Sequence, residues 1–255
     1  MIYETKGTEK IGELFKGWEE SLIWSAMQGV MGKIYVTDRE EPLSAMVILG
    51  DFCFFAGQSD RELVSFKPDW RSSDFIIMVP QNGEWAEVIE EVYGEKANKV
   101  TRYAIKKEGD IFDREKLAAM AANLPEGCEL KLIDEALYTG CLKEEWSRDF
   151  VSQYETWEEY RRLGLGAVVL KDGEIAAGAS SYSSYEGGIE IEIGTREEYR
   201  RKGLATACGA RLILECLSRG WYPSWDARNL WSVGLSEKLG YHFSHAYDAY
   251  DILGY

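Results

Sequence analysis

Apolar residues recur at helical spacing through residues 7–30, at Ile11, Leu14, Phe15, Trp18, Leu22 and Ala26, which predicts an amphipathic helix there. The pattern then shortens to strand-length apolar runs over residues 33–37, 44–49 and 52–56. A helix around 60–66, a β run over 74–79, a helix over 84–93 and a strand over 99–105 follow. An alanine-rich helix over 112–124 is stopped by Pro125 and Gly127. That Pro-Glu-Gly turn is the punctuation at which the sequence divides into domains 1–125 and 126–255.

The second half restarts with a strand over 129–133 and helices over about 134–142 and 145–162. Asp172-Gly173 sits between two apolar runs, 164–170 and 174–182, a hairpin signal. A strand over 189–195, a helix over 204–218, a strand over 222–227, a helix over 230–239 and a final strand or pair over 241–252 complete the chain. Strands mixed with helices in this order predict an α/β fold with a mixed sheet. The first half, helix, three strands, helix, strand, helix, strand, loosely echoes this order.

Composition narrows the function classes. Hydrophobic residues make 45% of the 255 and charged residues 29%, an ordinary globular balance. No apolar run reaches bilayer length, and Lys6, Lys10 and Lys16 are interleaved with acids rather than followed by an apolar core. Neither a leader nor a membrane partner is expected, and the cytoplasm is the expected location. The five cysteines form no Cys-x-x-Cys pair, and the only histidines are His242 and His245, so no disulfide framework and no metal site are expected. Lysine and arginine number 29 against 44 acids, a net charge of −15, which disfavours a nucleic-acid partner and suits a cationic one.

Against that acidity one basic cluster stands out, Arg200-Arg201-Lys202, with Arg196 just before it. It lies in Ile189-Glu-Ile-Glu-Ile-Gly-Thr-Arg, then Arg200-x-x-Gly203-x-Ala205, then an amphipathic helix. The free N–H groups and dipole of that helix start suit a pyrophosphate, and Gly203 lets the backbone come close. A glycine turn of this kind alone is weak evidence. The order of elements and the motif resemble the GNAT superfamily of N-acetyltransferases over roughly residues 128–252. Tyr222-Pro-Ser-Trp-Asp-Ala-Arg-Asn229, Ser232 and Glu237-Lys-Leu-Gly-Tyr241 carry the likeness further. Their wording is similar to a bacterial subgroup that includes zwittermicin-resistance-type acetyltransferases, with upstream echoes at Arg102-Tyr-Ala-Ile-Lys106 and 146–154.

The resemblance implies a GNAT-like acyl-CoA N-acyltransferase fold in the second domain, preceded by a smaller accessory α/β domain that is a candidate degenerate repeat of it. It implies acetyl-CoA as co-substrate, with no metal, and a small-molecule amine, metabolite or antibiotic, as acceptor. The backbone of Ile193, Gly194 and Thr195 would hold the pantetheine arm. Arg200, Arg201, Lys202, Gly203, Leu204 and Ala205 would hold the pyrophosphate. Asn229 and Ser232 would flank the cofactor, although Asn229 reads equally well as a helix N-cap. Asp226 reads as a cap or a partner of Arg228, and Trp225 as a core or wall residue.

Glu190 and Glu192 share one face of their strand by alternation, and in a central strand that face is a cleft rather than bulk water. One of them would serve as general base for an ammonium that titrates near ~10 in water. Paired with Arg or Lys, or on a solvated edge, they would be structural. Many GNAT enzymes carry a tyrosine seven residues after the asparagine; here that position is Ser236. The thiolate acid is thus open among Tyr182, Tyr241, Tyr247, Tyr250 or none, and a CoA-binding sensor is the rival reading. Ser180-Ser-Tyr-Ser-Ser-Tyr185 is expected either to line the acceptor pocket or to form a serine-rich turn. The C-terminal strand is compatible with a homodimer.

Overall fold

The computed structural model describes all 255 residues. The first half runs β1 (Tyr3–Thr5), α1 (Glu9–Leu14), α2 (Ser21–Gln28), β2 (Lys33–Val36), β3 (Ser44–Leu49), β4 (Phe52–Gly57), α3 (Arg61–Ser65), β5 (Phe75–Pro80), α4 (Gly83–Tyr93) and β6 (Ala97–Ile105). After α5 (Arg114–Ala122) come β7 (Cys128–Leu132), α6 (Glu135–Cys141), α7 (Glu145–Arg148) and α8 (Trp157–Leu163). Then follow β8 (Gly166–Lys171), β9 (Glu174–Tyr185), β10 (Gly188–Thr195), α9 (Leu204–Ser218), β11 (Tyr222–Ser224), β12 (Asp226–Ala227), α10 (Leu230–Leu239) and β13 (Phe243–Leu253).

Two compact units result, Met1–Arg102 with Ala246–Tyr255, and Tyr103–His245. They share one topology. The first orders its strands β1-β2-β3-β4-β5 and the second β7-β8-β9-β10-β11. Along these five strands neighbours are antiparallel except β4 with β5 and β10 with β11, which are parallel. The echo between the two halves of the sequence is thus a repeat of mixed α/β architecture. Each unit has its own core: Ile48, Phe55, Trp85 and Tyr250 in the first, Ile189, Ile191, Cys208, Leu212, Trp225 and Tyr241 in the second.

The break in packing falls after Arg102. Helix α5 sends Leu117 into the second unit's core, so the Pro125 turn lies inside that unit. The last residues of β13 belong to the first unit, where Tyr250 to Leu253 pair antiparallel with Met78 to Phe75. A turn signal reports a local reversal of the chain; membership of a unit is decided by which core the flanking apolar residues enter.

Several expected elements are subdivided. The helix expected over residues 7–30 is α1 and α2, parted near Gly17, whose φ of 78° does not continue a helix. The helix expected over 145–162 is α7 and α8. Thr156 caps α8 by accepting from Glu159 N–H at 3.2 Å, and Glu159 reaches back to Glu155 N–H at 2.8 Å. The strand expected over 222–227 is cut at buried Trp225 into β11 and β12, and β12 pairs with Ala104 and Tyr103 instead. The serine run 180–185 is neither turn nor open lining: it is the end of β9, with Ser180, Ser181, Ser183 and Ser184 all buried. No helix is long and apolar enough to cross a membrane.

Candidate cofactor and catalytic site

Strands β10 and β11 run parallel only briefly, pairing Gly188 with Tyr222, Ile189 with Pro223 and Glu190 with Ser224. Beyond that point β11 ends and the chain turns away through Trp225 to β12. Strand β10 continues to Thr195, paired on its other side with β9 as far as Ala177. The two strands therefore splay, and residues 191–195 present a strand edge with no ladder partner on the β11 side. Such an edge accepts an extended chain carrying amide groups, as an added strand would. Gly194 also sits close to the Phe150 ring: a Cβ on it would lie 3.3 Å away, so the ring would have to give by a few tenths of an ångström.

The register between β10 and β9 slips where the strands begin to part. Glu190 faces Ser183 and Ile191 faces Ser181, leaving Tyr182 as an extra residue in β9. This bulge accentuates the local twist and bends the sheet.

Beyond β10 the chain passes a short turn and enters α9. Arg201 has φ 61° and Gly203, the N-cap, φ 81°. The first helical hydrogen bond is Ala207 N–H to Gly203 C=O at 3.1 Å, so the N–H groups of Leu204, Ala205 and Thr206 lie ahead of the ladder. The other helices of eight residues or more start with a capping side chain, Glu20, Asn82, Asp113 or Asn229; α9, with 15 residues, has none. Arg200, Arg201 and Lys202 are exposed and make no ion pair. Arg200 Nε donates to Thr195 O at 3.5 Å, and the Lys202 ammonium sits 5.0 Å from the Tyr199 ring. An uncapped helix start beside three available cations fits a pyrophosphate. Arg196, grouped with this cluster in the sequence, is committed elsewhere, to Glu144, Glu174 and Glu198.

The first unit shows the same place closed. Its β4–β5 pair is the parallel one, but Asp60 Oδ1 accepts from Leu63 N–H at 2.7 Å at the start of α3, and Gln81 Oε1 accepts from Gly57 N–H at 3.0 Å. An acid on a five-residue helix is the wrong charge for phosphate.

The two candidate acids differ. Glu190 is 4% exposed, enclosed between the cross-strand serines Ser183 and Ser224, while Glu192 is half-buried opposite Ser180. Burial pushes the Tyr222 hydroxyl up to about 12, and the carboxylates of Glu108 and Glu190 push the same way. Glu190 pairs directly with Ser224, the last residue of β11. Three serine hydroxyls of β9 bond to tyrosines: Tyr154 bridges Ser181 and Ser184 at 2.8 and 2.9 Å, and Tyr160 meets Ser180 at 2.8 Å.

Asn229 is the N-cap of α10, its Oδ1 accepting from Ser232 N–H at 3.0 Å, and Ser232 Oγ accepts from Trp225 Nε1 at 3.0 Å. Ser236 is fully buried and donates to Val233 O, so it offers no proton to a ligand. Tyr241 donates to Pro223 O at 2.6 Å and Tyr250 to Glu90 at 2.5 Å, both spoken for by the fold. Tyr247 falls in the stretch that belongs to the first unit. Tyr182, the bulged residue, lies beside Glu190 in sequence register. All five cysteines are free, and burial pushes Cys208 and Cys216 up to about 12, which makes them poor nucleophiles. The bulge at Tyr182 and the serines flanking Glu190 carry no motif of their own; only the strand pairing reveals them.

Comparison with known proteins bears on the family and the fold. The family description for GNAT acetyltransferase matches residues 12–250. The chain is 27% identical over 237 residues to the uncharacterized N-acetyltransferase YdfB of Bacillus subtilis (strain 168), covering 88% of this chain and 86% of that protein. It is 49% identical to a GCN5-related N-acetyltransferase-like protein from Streptococcus suis 89/1591, with a TM-score of 0.90 over 95% of this chain and 97% of that one. A tandem GNAT protein from the clavulanic acid biosynthesis pathway, 11% identical, shares the fold with a TM-score of 0.54 over 100% of this chain and 98% of that one. The chain belongs to the GNAT acetyltransferase family.

Proposed function

We propose that the second unit binds acetyl-CoA between β10 and β11 and transfers its acetyl group to the amine of a small molecule, a metabolite or an antibiotic. The observation that carries this is the splay after Glu190 and Ser224, opening beside the one long helix that starts without a capping side chain. The backbone edge of Ile193, Gly194 and Thr195 takes the pantetheine amides. The N–H groups of Gly203, Leu204 and Ala205 take the pyrophosphate, with Arg200, Arg201 and Lys202 balancing its charge. Asn229 keeps its cap and offers its Nδ2, and Ser232 lies one turn on.

In the transfer the amine lone pair attacks the thioester carbonyl, the C–N bond forms and the C–S bond breaks. One ammonium proton leaves first, to the Glu190 carboxylate directly or through water, and the second passes from the nitrogen of the adduct to the departing thiolate, which leaves as the thiol; Glu192, more exposed, draws the cation in. The departing thiolate needs little help, since thiols ionise near ~8.5. The first unit, closed by Asp60 and Gln81, is read as accessory, the cytoplasm as the location and the zwittermicin-resistance-type enzymes as the nearest functional analogy.

One observation favours a second reading. Ser236 stands where many relatives place a tyrosine and is locked to Val233, which suits a CoA-binding sensor. Thiol release from acetyl-CoA over a panel of amines decides between them. Turnover that falls in Glu190→Gln supports the enzyme; tight acetyl-CoA binding with no turnover for any amine supports the sensor.

A further inference from the structure

Helix α9 has 15 residues and so spans about 22 Å by its rise, which keeps its two ends apart as separate places in the second unit. The cofactor reading uses only its start. Just past its other end, Arg219 and Trp221 meet α8 and the start of β8 around a cavity of about 370 Å³. Trp157, Arg161 and Arg162 from α8 complete the wall, and buried Ile133 and Leu165 lie in its lining. That size falls in the range of small-molecule pockets.

Its basic lining contrasts with the net charge of −15 of the chain. With 44 acids against 29 bases, arginines such as Arg61, Arg71, Arg196 and Arg211 are ion-paired. Arg161, Arg162 and Arg219 are exposed, line this cavity and form no ion pair. Arg161 and Arg162 also line a neighbouring cleft with Glu155, Glu158 and Glu159, of which Glu159 turns to the Glu155 N–H. The Arg219 guanidinium lies 5.6 Å from the Trp221 ring, a placement that leaves its N–H edge for an anion. Trp157 is held by Tyr138 and Tyr160 at ring distances of 5.9 and 6.0 Å, so its indole is a fixed wall.

The cavity's own lining holds three guanidiniums and no carboxylate, which supplies two-pronged donors for a phosphate or carboxylate, and its two indoles with an apolar floor supply a place for a flat ring. We propose that this cleft is a second ligand site, distinct from the splay between β10 and β11, for a small anion carried on a planar ring. The site stands on its own residues and holds whatever the acyl chemistry proves to be.

Isothermal titration with 1-naphthyl phosphate tests it, with 1-naphthol and inorganic phosphate as the ring and the anion alone. The full chain is expected to bind 1-naphthyl phosphate saturably, and each half-probe at least about tenfold more weakly. Arg161→Gln and Arg219→Gln are each expected to weaken binding about tenfold, the loss of one charge-assisted pair, and raised salt to weaken it further. These side chains are exposed, so unchanged melting verifies that the variants fold. Arg201→Gln, at the start of α9, is expected to leave this binding unaltered. Absence of saturable binding overturns the proposal, as does binding indifferent to both cleft variants. Binding lost with Arg201→Gln instead would overturn it too, by assigning the anion to the other end of the helix.

Discussion

Gly203 has two separable reasons to be glycine, and Gly203→Ala distinguishes them. Its φ of 81° disfavours any side chain, while a Cβ built on it meets nothing within 4 Å. The cost to the free protein is therefore conformational, not steric. Left-handed backbone costs an alanine roughly 1–2 kcal/mol, and about 0.4–1 kcal/mol returns through the stiffer unfolded chain, a net destabilisation of about 0.5–1.5 kcal/mol. Gly220, at the far end of the same helix, is a matched control, with φ 69° and likewise nothing within 4 Å. Both variants should melt a few degrees lower and by similar amounts. They should part in calorimetry with acetyl-CoA. If the phosphate backbone lies against Gly203, an added methyl displaces it and costs one charge-assisted hydrogen bond, about 1.5–3 kcal/mol, or roughly 10- to 150-fold in affinity. Gly220→Ala should bind as the parent does. Equal acetyl-CoA affinity in the two variants would refute the placement of the pyrophosphate and leave Gly203 as a glycine of backbone shape alone.

Glu190→Gln should lower turnover by roughly 10²- to 10⁴-fold with acetyl-CoA affinity retained, measured by thiol release against calorimetry. Asn229→Ala should cost about 1 kcal/mol as a lost N-cap, whereas Asn229→Asp should keep the melting temperature yet weaken acetyl-CoA binding by removing the Nδ2 donor and adding a negative charge beside an anionic cofactor. Tyr154→Phe should destabilise by about 1–3 kcal/mol in urea unfolding, because it removes the buried hydroxyl that joins Ser181 and Ser184. Stability should hold up to about pH 10 and then decline towards about 12. Burial pushes Tyr35 and Tyr222 up to about 12 in the folded chain, so in that window the folded state keeps protons that the unfolded state has already lost.

Local chemistry was legible where it is local. The helix over Leu204–Ser218 and the helix over Leu230–Leu239 match the sequence expectation at both ends. Their limits are written in glycine turns and the Asn229 cap, interactions within a few residues. The glycine turn at Gly203, the hairpin at Asp172-Gly173 and the alternation of Glu190 with Ile189 and Ile191 are likewise short-range, and the repeated order of elements followed from hydrophobic period alone.

What the sequence left undecided depends on partners distant in the chain. Whether Glu190 faces water or is enclosed is set by Ser183 on β9 and Ser224 on β11, strands that reach it from either side. The splay exists because β11 stops at Ser224 and Trp225 sinks into the core, an outcome of packing that a run of six strand-forming residues does not announce. Arg161, Arg162 and Arg219 read along the chain as ordinary surface charges until folding brings them round one cavity. Sequence fixes the periodicity, caps and turns of each element because those energies act over one to four residues. The tertiary structure alone decides which edges stay unpaired and which charges meet, because those energies act between residues that only the completed fold makes neighbours.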